Sequence, residues 1–171
     1  MPEPGAPPGH APAGGAGVAD ADAAPIDRES GQPSLRTVAM PADTNPNGDI
    51  FGGWILSQMD LAGGTFAYHV AHGRVATVAV TGMKFHKPVS VGDEISCWCR
   101  TERVGTTSIT VLVEAWVRRR RLAAEEQVTE GLFTFVAIDG DGRPRPVVGT
   151  GADFDGPGEE AARRRAEGGT W

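Results

Sequence analysis

Ile50-Phe51-Gly52-Gly53-Trp54-Ile55-Leu56-Ser57-Gln58-Met59-Asp60-Leu61-Ala62-Gly63-Gly64-Thr65-Phe66-Ala67-Tyr68-His69-Val70-Ala71 carries one carboxylate and no Lys or Arg. Its length and composition suit a largely buried helix better than a strand. Burying an unpaired carboxylate is costly. A lone acid at Asp60 therefore calls for an explanation, and a general base or nucleophile supplies one. At about 100° per residue, Gly53, Leu56, Asp60, Gly63 and Gly64 fall on one side of such a helix. The acid then sits on the small-residue side, away from Trp54, Ile55 and Phe66, with room beside it for a ligand. The pair Gly63-Gly64 costs a helix interior about 1 kcal/mol per residue relative to alanine. Close approach of another backbone is the expected return.

Outward from this helix the pattern changes. Leu35–Met40 reads as a first strand, and Pro41–Asp49 (Pro-Ala-Asp-Thr-Asn-Pro-Asn-Gly-Asp) is turn-rich. Asp49 is placed for a cap or first-turn role at the helix start, or to organise the loop, rather than for catalysis. Beyond Gly73, Arg74–Phe85 is β-branched and alternating. Glu94–Val104, Thr107–Arg118 and Gln127–Ile138 follow as strands, with Ile109, Val111, Val113, Ala115 and Val117 on one face of the third. One strand, one long helix and four consecutive strands is an α+β pattern. The expected architecture is a five-stranded antiparallel sheet wrapped around a central helix, occupying residues 34–149. Residues 1–33, rich in Ala, Gly, Pro and Asp, and residues 150–171 read as disordered tails.

The chain has 171 residues and a formal net charge of −6, which argues against a nucleic-acid surface. The N-terminus lacks the basic start and apolar run of a signal peptide. No apolar run spans a membrane without interruption. A cytoplasmic location is the expectation. Cys97 and Cys99, two apart in a strand, lie too close along one chain for a comfortable disulfide. With no further Cys there is no zinc constellation, so both read as packed thiols.

The run Met40–Asp60 resembles the signature of YciA-type acyl-CoA thioesterases, which are hotdog-fold hydrolases. The likeness continues through His72–Val75, Phe85–Asp93, Gly105–Ile109, Glu114–Val117 and Phe133–Ala137, covering about residues 35–146. The resemblance implies a hotdog fold, a dimer with active sites between subunits, and further assembly into a hexamer. It implies hydrolysis of acyl-CoA to a free acid and CoA, with no cofactor. The family's catalytic aspartate matches Asp60. The asparagine of the preceding loop, known in related acyl-CoA hydrolases, matches Asn45, and the two would face each other across the dimer.

Thiolate is a good leaving group, with a thiol pKa near 8.5, so one carboxylate and an oxyanion site suffice for this chemistry. Backbone amides at the helix start, Gly52 and especially Gly53, suit the oxyanion role. Asn45 would orient the water or the carbonyl. Arg74, Lys84, Lys87, Arg103 and the Arg118–Arg121 run are candidate partners for the charged end of CoA. Arg74, Lys87 and the Thr106-Thr107-Ser108 hydroxyls are preferred among the candidate contacts. His69, His72 and His86 have no Ser or Cys partner at a telling spacing and read as non-catalytic. Two other classes remain open from the residues: a hotdog protein that binds acyl-CoA without cleaving it, and a hydratase or dehydratase. The first lacks a use for Asp60 with Gly53. The second lacks a histidine near the acid.

Overall fold

The computed structural model describes Ile26, Arg28 and residues 32–119 and 125–147. In chain order the elements are strand β1 (Leu35–Val38), a single 3-10 turn at Pro41–Asp43, helix α1 (Gly52–Ala71), and strands β2 (Val75–Phe85), β3 (Glu94–Val104), β4 (Ser108–Arg118) and β5 (Glu125–Ala137). The strands form one sheet in the order β1-β3-β4-β5-β2, antiparallel at every junction. This is the helix-in-sheet arrangement expected from the sequence. The tails assigned to residues 1–33 and 150–171 lie almost wholly outside the described residues. Arg28 is an exception: its guanidinium stands 3.4 Å from the centroid of the Trp116 ring and 3.8 Å from Glu125.

The alternation in β4 sets the core. Ile109, Val111, Val113, Ala115 and Val117 are all fully buried on the helix side, as their spacing requires. Phe133 and Phe135 of β5 are buried on that side too, with centroids 6.4 Å apart. Against them α1 presents Ile55, Met59, Ala62, Gly63, Ala67 and Ala71. The helix is less enclosed than its composition suggested. Leu61 is 58% exposed, and so is Phe51 just before the helix.

Gly63 explains itself at this interface. A Cβ there would lie 3.0 Å from Phe135 Cζ and 3.2 Å from Val113 Cγ2, whereas one at Gly64 would meet Phe135 at an ordinary 3.6 Å. Helix and sheet thus approach more closely at Gly63 than a side chain allows.

Two register shifts interrupt β2 against β5, between Thr77 and Ala79 and between Thr81 and Lys84. At the first, Val78 is the extra residue, so Thr77 still pairs with Phe135 and shares its helix-facing side. Strand β2 is also an open sheet edge. Val78 (58%) and Val80 (38%) remain exposed along it.

The hairpin side is held by charge. Arg119 binds Asp93, Glu126 and the carbonyl of Pro88, and Lys87 binds Glu126. Hydrogen bonds from Lys87 and then Arg119 hold the Glu126 carboxyl below its usual range. Burial pushes the Cys97 thiol up to about 12 and the Cys99 thiol to about 11, and both cysteines are free. Such thiols are inert at neutral pH.

Replacing Gly63 by Val should lower stability by about 1–3 kcal/mol through overpacking. Gly64→Ala should instead be neutral or stabilising by up to about 1 kcal/mol. Thermal and denaturant midpoints of the two variants check the contrast.

Candidate active site

Asp60 lies just before the middle of α1, half-buried, at the rim of the interface that Gly63 defines. The Thr77 hydroxyl donates to Asp60 Oδ1 at 2.8 Å. That bond anchors one carboxylate oxygen. Among the described residues no hydrogen bond engages Oδ2. The lone acid of the helix is therefore held by a hydroxyl from β2 rather than by a cation. A charged acceptor strengthens such a bond.

The two residues border a groove of about 450 Å³, lined by Asp60, Leu61, Gly64, Thr65, Tyr68, Arg74, Val75, Thr77 and Phe135. Glycine at position 64, one turn beyond the acid, keeps that wall low. Of the residues expected to contact substrate, Arg74 joins Asp60 here. Its Nη1 donates to the carbonyls of Asp139 and Gly140 at 3.4 and 3.3 Å.

The helix start is a separate place. The N-cap of α1 is Phe51, and no side chain caps it. Of the two roles expected of Asp49, helix cap and loop organiser, it fills the second, its carbonyl accepting from Asn45 N at 2.7 Å and its amide donating to Asn45 Oδ1 at 3.1 Å. The first amides of a helix have no intrahelical acceptor, and those of Gly52 and Gly53 acquire none among the described residues. Gly53 is exposed. A Cβ on it would stand 3.2 Å from the Phe51 ring.

Asn45 organises the loop below. Its Oδ1 accepts from the amides of Asn47 and Asp49, and Gly48 N donates to its carbonyl at 2.9 Å. Both of its oxygens are thus used as acceptors, and the side-chain amino group keeps its donors.

Other expectations fare differently. Lys87 is paired with Glu126 on the hairpin side and takes no part in the groove. A cation already matched by a carboxylate has less to offer a phosphate. Lys84 pairs with Glu130 at 3.3 Å, and Arg118 with Glu94 and Glu125. Arg103 is exposed near the end of β3, and Arg120 and Arg121 lie outside the described residues. The Thr106-Thr107-Ser108 turn sits at the Arg74 end of the sheet, where Thr106 and Thr107 accept from Val147 N and Ala137 N. It does not line the groove. His72 closes the helix in a left-handed conformation, with φ 49°, and His86 stands 3.7 Å from Glu130. Neither histidine, nor His69, lines the groove. Among the described residues no group of three or more His, Cys, Asp or Glu could hold a metal ion. Thr77 was missed by sequence reasoning. It sits seventeen residues beyond Asp60, and only the register of β2 brings it there.

Residues 47–124 match the family model of the thioesterase superfamily. The acyl-CoA thioester hydrolase YciA of Salmonella typhimurium is 52% identical over 120 residues, which are 68% of this chain and 90% of that one. The hexameric thioesterase of Yersinia pestis superposes with a TM-score of 0.66 at 50% identity, over 71% of this chain and 98% of its own. HI0827, a hexameric broad-specificity acyl-coenzyme A thioesterase, was crystallised as an Asp-to-Ala variant. It gives a TM-score of 0.68 at 45% identity, over 80% and 99%. With half its aligned residues shared with YciA across nine-tenths of that enzyme, this chain belongs to the YciA-type acyl-CoA thioester hydrolases of the thioesterase superfamily.

Proposed function

We propose that the protein hydrolyses the thioester of acyl-CoA to a free acid and CoA, with Asp60 as the carboxylate that drives the attack. The observation that carries this reading is the Asp60–Thr77 bond at the edge of an open groove. One carboxylate oxygen is fixed and the other is free to take a proton from water, or to attack the carbonyl and form an anhydride. Both routes use the same atoms. One turnover in heavy-oxygen water, followed by mass analysis of the enzyme and the acid, separates them.

The negative oxygen that develops needs donors about 3 Å away. The uncapped amides of Gly52 and Gly53 fit that need, aided by the positive end of the helix. They do not meet Asp60 within one chain. Seven residues of helix put Gly53 about 10 Å along the axis from Asp60. One thioester therefore takes its base from one subunit and its oxyanion donors from another. Asn45, seven and eight residues before the helix-start amides and with its amino group unengaged among the described residues, belongs to the second set. The exposed apolar edge of β2 supports such a pairing, since an open strand with Val78 and Val80 bare invites a second strand. We place the chain in a dimer with shared sites and, by likeness to its hexameric relatives, in a hexamer. Acyl-CoA brings its own CoA, and no step requires a cofactor. The contributions of Thr106, Thr107 and Ser108 to CoA binding rest on their hydroxyls alone. A purely binding role leaves the Asp60–Thr77 pair without a use.

Asp60→Asn should lower kcat by roughly a hundredfold to ten-thousandfold while thiol release is followed with a chromogenic reagent. Turnover near the wild-type rate would remove Asp60 from the chemistry. Thr77→Val should cost roughly tenfold or more in kcat, the scale of one hydrogen bond to a charged group.

Subunit sharing has its own test. Asn45→Ala and Asp60→Asn chains, each weak alone, should regain about a quarter of wild-type activity when unfolded together and reassembled, since half of random dimers hold one intact site. Mixtures no better than their components would place both residues in one subunit's site.

A further inference from the structure

The groove continues past the reacting acid. By helix rise, Tyr68 lies about 12 Å along α1 from Asp60. Arg74 precedes Thr77 by three residues, about 10 Å of extended chain. Between these two ends the wall is mostly apolar or bare, formed by Leu61, Gly64, Val75 and Phe135, with Thr65 its one polar residue. The far end is polar and cationic. Arg74 is exposed, and among the described residues its guanidinium is met only by two carbonyls at 3.3 and 3.4 Å. Among the described residues no carboxylate stands within ion-pairing distance of it. Arg36, Arg118, Arg119 and Arg143 each have one. A guanidinium has five donors, so Arg74 keeps most of its capacity for an anion.

We propose that this end of the groove reads the tail of the acyl group, and that Arg74, with Tyr68 beside it, selects short acyl chains ending in a carboxylate. The substrates meant are CoA monothioesters of dicarboxylic acids. This rests on the reading of Asp60 as the group that meets the thioester. Length then separates the two halves of the substrate. The pantetheine arm from sulfur to diphosphate has the backbone length of about four residues, roughly 15 Å extended. Arg74 stands nearer to the acid than that, and its side chain shortens the gap further. A chain of about four to six carbons spans what is left. The wall agrees, since Val75, Phe135 and Gly64 suit methylenes, and Thr65 alone offers a hydroxyl where pantetheine would bring two amides. A terminal carboxylate would then find the planar fork that pairs best with it.

The experiment compares kcat/KM of the full-length protein on succinyl-, glutaryl- and adipoyl-CoA with butyryl-, valeryl- and hexanoyl-CoA, their neutral counterparts of equal carbon number. Expected is a preference for at least one dicarboxylic member over its neutral partner. Arg74→Met should lower that ratio by roughly tenfold to a hundredfold, the scale of a hydrogen-bonded charge, and Arg74→Lys should restore part of it. An unchanged ratio would overturn the proposal, whether both substrates lose equally, which means that Arg74 holds the CoA phosphates, or neither changes. Wild-type hydrolysis of the neutral chains with rejection of every dicarboxylic one would overturn this inference and leave the thioesterase reading standing. Hydrolysis of no acyl-CoA at all would remove both.

Discussion

The close contact between Gly63 and Phe135 governs where everything else can stand. With only a hydrogen at position 63, the helix settles onto β4 and β5 until the Phe135 ring and Val113 reach its backbone. That depth fixes the height of Asp60, nearly one turn earlier, above the sheet. Phe135 is also the cross-strand partner of Thr77. One ring therefore sets both ends of the 2.8 Å bond that orients the acid. It also forms part of the groove wall. Packing and chemistry share an atom set here. The glycine that looks expensive by helix propensity is the condition for the site.

How much of this was legible depended on the range of the interaction. Strand alternation is local, so β3 was readable to its end residues and β4 to within one of them. The helix start at Gly52 was readable from the loop chemistry before it. The choice of Asp60 needed only the composition of one segment. Thr77 needed more. Whether it faces the helix depends on a register shift at Val78, and nothing in Ala76-Thr77-Val78-Ala79 announces which residue is the extra one. Helix face geometry was half right. Asp60 and Gly64 share the open side, but Gly63 belongs to the buried stripe and Gly53 lies exposed at the helix start. Lys87 stands away from the groove for a similar reason. Its partner Glu126 lies thirty-nine residues away, and only the sheet brings them together.

The helix itself resolves a tension in the sequence. A stretch with one charge in twenty-two residues predicts complete burial, yet Leu61 and the preceding Phe51 are more than half exposed. The five-stranded sheet covers one stripe of α1. Of the apolar side chains left exposed, Phe51, Leu61, Val78, Val80 and Phe85 lie at the helix and along β2. Contiguous apolar area left on a surface of net negative charge is the mark of an interface. The composition of α1 fits the proposed dimer, in which a second copy would cover what one chain leaves exposed.

That missing half and the chemistry follow from one constraint. An α-helix is rigid, and it offers its free amides only at its start. A base carried on the same helix must lie beyond the first turn if it is to stand over the sheet at all. Here the resulting separation is about 10 Å, far more than one tetrahedral intermediate can bridge. A single helix therefore cannot supply both the oxyanion donors and the base, however it is packed. Two copies related by a twofold axis can, because the axis brings the start of one helix to the middle of the other. The bare edge of β2, the uncapped first turn behind Phe51 and the loop-bound Asn45 are then parts of the same solution. In the proposed arrangement each is incomplete in one chain because the reaction is divided between two.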